Sequence, residues 1–113
     1  MATLVEMQDI TRSYERSRGR KRHHSETLAD GTSSPVAMPL TEGRQYAAVS
    51  VMPGTSATVQ HTTSSYAEIE SDTAIWHDWD AGEVSVDTST DVKTCITALR
   101  LVSTGATDWE VTV

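Results

Sequence analysis

The stretch Thr73–Val86, TAIWHDWDAGEVSV, gathers two of the three tryptophans, one of the four histidines and three carboxylates. Those residue types could hold a metal, transfer a proton or stack a sugar ring. If the segment is extended, successive side chains alternate between faces. Trp76, Asp78 and Asp80 then point one way and Ile75, His77 and Trp79 the other, so His77 and Asp78 do not share a face. His61 lies on another strand and could approach His77, but two imidazoles fall short of the three or four convergent ligands a metal site needs. The pairs Glu68/Glu70 and Asp78/Asp80 have strand spacing for a common face, which a solvated acidic surface also explains. No G-x-S-x-G nucleophile elbow occurs, and PGTSAT lacks the lysine of a phosphate-binding loop. Cys95 is the only cysteine, so no intramolecular disulfide forms, and its reading is a small buried apolar residue. These residues predict a protein without catalytic residues, metal or cofactor, in which Trp76, Trp79 and Trp109 serve as core or interface anchors.

A second set of candidate residues binds by charge. Residues 1–24 hold six basic residues, Arg12, Arg16, Arg18, Arg20, Lys21 and Arg22, against three acids. The remainder of the chain holds three basic residues and thirteen acids, so the two parts suit different partners. The run RSRGRKRHH could meet phosphates, which requires only clustered Arg and Lys. Tyr14 is the one aromatic near it, so base stacking has little support, and the acidic remainder would repel a duplex. The expected partner is an acidic protein surface rather than nucleic acid.

The elements that must position these residues fall into three zones. In residues 1–24, Thr3 and Glu6 have capping-box spacing and Leu4, Met7, Ile10 and Tyr14 could share a helical face, which predicts a short helix from about Leu4 to Ser17, followed by the basic run. Residues 25–44 carry Gly31, Pro35, Pro39 and Gly43 with no period and read as a linker or extended arm. Residues 45–113 form the folded zone. Strands are predicted for QYAAVSVM, SATVQHTT, TAIWHDW, EVSV (Val84 and Val86 inward), KTCITALRLVS and TDWEVTV, with YAEIE a short edge strand and VDTSTD a loop. Pro53 and Gly54 suit the centre of a type II turn. About Thr94–Ser103 is expected to form a hairpin with Thr107–Val113. The fold class is all-β, a small antiparallel sandwich or jelly roll (45–113) preceded by an N-terminal arm (1–44).

Phe and Asn are both absent, so the core is small and neither N-glycosylation sites nor Asn-Gly turns exist. One core of this size contributes little net stability. ALRLV carries apolar residues on both strand faces, as in a sheet covered on both sides. Association into a homo-oligomer follows as an expectation. No run of about eighteen apolar residues could span a membrane. The N-terminus lacks a basic segment followed by an apolar one, so the product is expected to stay where it is made unless it leaves in a particle.

Val51–Gly54 (VMPG), Trp76–Val84 (WHDWDAGEV), Ile96–Gly105 (ITALRLVSTG) and Trp109–Val111 (WEV) together resemble small virion structural proteins of tailed bacteriophages. The resemblance covers residues 45–113 and not the arm. It implies a β-sandwich or jelly roll that decorates a capsid, as a cement protein does, or sits at neck, tail or fibre base. It further implies a trimer on the capsid exterior, made in the host cytoplasm, with the major capsid protein as partner. Arg12, Arg16, Arg18, Arg20, Lys21 and Arg22 would then be the capsid-contact residues of the arm. A small carbohydrate-binding module using exposed tryptophans is the alternative from another class.

Overall fold

A computed structural model describes residues 3–12, 21–39, 46–93 and 96–113. The period-2 pattern sets its two layers. In β6 (Tyr46–Met52) Ala47, Val49 and Val51 are buried, and in β11 (Thr107–Thr112) so are Thr107, Trp109 and Val111, with Asp108 and Glu110 outside. The two strands pair antiparallel with Trp109 opposite Val51 and Val111 opposite Val49. In the other layer β7 (Ser56–Thr62) pairs with β10 (Ala98–Thr104), placing Leu101 opposite Val59 and Ser103 opposite Ala57. The two buried faces meet in one core that also takes in Met7, Val36, Met38 and Trp79. The protein is an all-β sandwich.

Two of the chain's passages between layers are short arches. The first, Pro53–Thr55, joins β6 to β7, and the second, Gly105–Ala106, joins β10 to β11. The hairpin expected between Thr94–Ser103 and Thr107–Val113 is therefore not formed: β10 and β11 lie in different sheets. Both strands are apolar toward the core, and crossing at Gly105 (φ +78°) puts these faces opposite one another instead of side by side. The expected type II turn is also absent, because Gly54 does not take the positive φ that turn requires. Gly54 is needed for a different reason: a Cβ there would collide with the backbone of Ala106. The arches are stacked and joined by Thr55 N–H donating to the Thr104 carbonyl (3.0 Å) and Gly54 N–H to Thr107 Oγ1 (3.2 Å).

The N-terminal zones are part of the sandwich wherever they are described. Instead of a helix, Leu4–Arg12 contains β1 (Val5–Glu6) and β2 (Gln8–Asp9). These belong to different sheets, and Met7 between them enters the core. Val5 is held by the Pro35 carbonyl (2.8 Å) and pairs in parallel with Val36, interactions that outweigh a weak local helix preference. The segment expected as a linker supplies β3 (Arg22–Leu28) between β2 and β11, then β4 (Gly31–Thr32) and β5 (Val36–Ala37) along β10. β3 escapes a hydrophobic-period reading because two of its inward positions are His24 and Glu26. Glu26 Oε1 accepts from Trp109 Nε1 (2.9 Å) and lies 3.2 Å from His24 Nε2. Residues 13–20, 40–45 and Cys95 lie outside the described residues.

Three further expectations change. YAEIE is a helix, α1 (Tyr66–Glu70), capped by a Ser65/Glu68 box. VDTSTD contains most of β9 (Thr88–Lys93), the edge strand beside β6. Of EVSV, Val84 is buried and bridges to Ala57, but Val86 is 70% exposed. Within TAIWHDW only β8 (His77–Asp78) is strand. On the outer face of the first sheet Ala37, Ala98 and Thr62 stand in register. Thr62 Oγ1 donates to the Ile75 carbonyl (2.7 Å), and Ile69 of α1 is 1% exposed. The outer face is thus tied at Thr62 to the segment that follows α1.

Two measurements check this account. Gly54→Ala forces the arches apart and should cost about 2 kcal/mol, lowering the thermal midpoint by roughly 10 °C. Ser65→Ala should cost about 1 kcal/mol. Hydrogen bonds from the Ser65 backbone and hydroxyl hold the Glu68 carboxyl below its usual range. Its stabilisation is then present above the ordinary glutamate pKa and lost as pH falls through the lowered one. Urea titrations at a series of pH values should show that acid-dependent step in the wild type and not in Glu68→Gln.

Candidate functional site

Strand register builds a polar row across the outer face of the first sheet. Arg100 of β10 is opposite Gln60 of β7, which is opposite Asp78 of β8. Arg100 Nε donates to Gln60 Oε1 (2.8 Å), and Gln60 Nε2 donates to Asp78 Oδ1 (3.0 Å). The Arg100 guanidinium lies 4.2 Å from the Trp76 ring centroid, a cation–π stack. Burial lowers the Arg100 pKa, and the Asp72 carboxylate acts against that shift. The row clamps the 72–79 segment to the sheet. Of the three tryptophans singled out in the sequence, Trp79 and Trp109 are core residues, 4% and 1% exposed. Trp76 is half-buried on the outer face with a ring face against Arg100. Trp79 Nε1 also donates to the Gly82 carbonyl (2.7 Å), closing the turn that follows it.

Two of the four histidines come together as a pair. His61 and His77 are direct cross-strand partners with ring centroids 5.9 Å apart. His61 also borders a cavity of about 330 Å³ between the sheets, with Tyr46, Trp79, Asp80, Asp91 and Lys93, and its Nδ1 is buried without a hydrogen-bond partner. Among the described residues no three His, Cys, Asp or Glu side chains converge as metal ligands. On the second sheet, His23 Nδ1 lies 2.9 Å from Thr112 Oγ1, and its Nε2 lies 4.0 Å from Glu110. This hydroxyl, imidazole and carboxylate series joins residues 89 positions apart, so local spacing gives no sign of it. The 4.0 Å step is too long for a hydrogen bond. The nearby cleft of about 340 Å³ is bordered by Glu110 but not by His23 or Thr112.

Of the basic residues, Arg12, Lys21 and Arg22 stand near the end of β2 and the start of β3. β2 and β3 pair antiparallel, with Asp9 opposite Arg22. Ile10 N–H donates to the Lys21 carbonyl (2.9 Å), and Lys21 N–H donates to Thr11 Oγ1 (2.7 Å). Thr11 and Lys21 therefore form a pinned junction beyond the β2–β3 pairing. Arg12 is exposed beside it, and Arg16, Arg18 and Arg20 lie outside the described residues. Arg22 is committed to the sheet: its Nη1 is 3.5 Å from Asp9 Oδ2, and its backbone pairs with Val113. The outer face of the same sheet exposes Asp91, Lys93, Asp108 and Glu110.

The clamp generates a prediction. Arg100→Lys keeps the charge but loses the planar stack and the Nε bond, and should cost about 1 kcal/mol. A double-mutant cycle with Trp76→Ala should return a coupling of about 0.5–1 kcal/mol in denaturant unfolding. Zero coupling would show that the stack does not contribute.

Comparisons of the chain with protein-family models, with curated proteins and with solved structures found no match.

Proposed function

We propose that this protein is a non-enzymatic structural subunit of a virion, a capsid decoration or cement protein. In this reading its sandwich self-associates on the outside of the shell, and its basic segment, residues 12–21, engages an acidic surface of the major capsid protein. The observation that carries the reading is the charge arrangement. Five of the nine Lys and Arg residues, Arg12 to Lys21, fall in the stretch of sequence that follows β2 and precedes β3, where Ile10 and Thr11 are hydrogen-bonded to Lys21. A rigid base with a concentrated opposite charge is suited to docking on a fixed partner and steering the encounter. The resemblance of the four motifs to tailed-phage virion proteins supports the same reading. A place at the neck, tail or fibre base uses the same features, and copy number per particle separates it from decoration. A carbohydrate-binding role has less support, since Trp79 and Trp109 are in the core and Trp76 is stacked on Arg100.

Because β1, β2 and the start of β3 lie within residues 1–24, deleting those residues would damage the sandwich as well as remove the basic segment. The test is substitution: Arg12, Arg16, Arg18 and Arg20 all to Ser in the full chain. This variant should keep the wild-type circular dichroism and melting temperature. It should also lose attachment to particles assembled from the major capsid protein, measured by co-sedimentation. Unchanged occupancy of the particles by a folded variant would refute the proposal.

A further inference from the structure

The ends of the two sheets are unequal. β1, β2 and β8 are two residues each, while β9, Thr88–Lys93, is a six-residue strand paired on one side only, with β6. Long edge strands present unpaired backbone donors and acceptors and are ready to pair with another chain. β9 has no proline and no bulge against β6. Its outward residues, with Asp87 before it, run Asp87, Ser89, Asp91, Lys93, all exposed. Neither Asp87 nor Lys93 forms an ion pair or side-chain hydrogen bond with the described residues.

That series is complementary to itself when reversed. We infer that β9 is a self-association edge, pairing antiparallel with β9 of a second copy across a two-fold axis at Thr90. In this register Lys93 faces Asp87 of the other copy, Ser89 faces Asp91, Thr88 faces Val92, and Thr90 faces its own equivalent. Every residue of the strand is paired. The register centred on Asp91 would set two carboxylates against each other. Two Lys93–Asp87 pairs close the ladder, and opposite charges directly across an antiparallel pair are favourable while like charges are not. The two five-stranded layers would join into one continuous sheet. The contact is isologous, so it joins copies in twos and differs from the three-fold contact that the resemblance implies. It rests on the reading of the sandwich as the self-associating part of the protein.

Charge exchange at the two positions tests it. The wild-type full chain should show a concentration-dependent monomer–dimer equilibrium by sedimentation velocity. Asp87→Lys and Lys93→Asp, each alone, set like charges opposite each other twice per dimer and should raise Kd roughly tenfold or more. An equimolar mixture of the two variants restores both pairs and should form a heterodimer with near wild-type Kd, as should the homodimer of the double variant. Circular dichroism of each variant confirms folding. A wild-type monomer throughout the micromolar-to-millimolar range, a trimer, or single variants that dimerise like the wild type would each overturn the inference. The assay uses the isolated protein, so its failure is distinct from a failure of attachment to a shell, which the arginine substitutions read.

Discussion

The stacking of two arches is the constraint on which the rest of the structure depends. Pro53–Thr55 and Gly105–Ala106 are each a place where the chain leaves one layer for the other. They touch at backbone distance because Gly54 has no side chain. That contact sets the four central strands: β6 and β11 are brought together in one sheet, β7 and β10 in the other. Once those pairs are aligned, Val49, Val51, Trp109 and Val111 face Val59, Leu99 and Leu101 across the core. With no phenylalanine in the chain, valine and leucine fill most of this space. Trp109 is the largest fully buried side chain, and its indole N–H needs the carboxylate that β3 supplies.

Polar groups then extend the sandwich outward from these central strands. Ser33 Oγ accepts from the Leu101 backbone (2.8 Å) and helps seat the β4–β5 region on β10. Glu26 brings β3 onto β11. The Arg100, Gln60 and Asp78 row holds the loop carrying Trp76 to the opposite side of the first sheet. In each case a polar side chain does what an apolar one would do in a larger protein, at positions where the small core ends. Buried polar groups are tolerable here because nearly all find a partner; His61 Nδ1 beside the end cavity is an exception.

The β-class of the protein was legible because β6, β7 and β11 carry apolar alternation, which depends only on burial of one face, and β10 is apolar on both faces. Their pairing was not. Gly and Pro punctuate arches and hairpins alike, and the difference lies in a contact between Gly54 and Ala106 that no local pattern records. β3 was hidden for another reason: His24 and Glu26 point inward, so the strand looks polar throughout. α1 did carry a readable signal, Ser65 three residues before Glu68, and the alternation in YAEIE masked it. At the candidate sites, the nearness of His61 and His77 could be foreseen from two strands. The Arg100–Trp76 stack and the His23–Thr112 contact could not, since both depend on strand order.

The position of β11 also bears on how the chain reaches this structure. It lies between β3 and β6, and its pairing with β3 joins residues as far apart as His23 and Thr112, 89 positions along the chain. Until residues 107–112 have been synthesised, β3 lacks its principal neighbour and β6 has only β9. The second layer therefore assembles only once β11 has been made, and closing such long loops before any contact rewards them makes folding slow. In that interval the unpaired strands of many nascent copies are exposed together. A protein with this topology depends on low local concentration or chaperone binding until β11 is in place.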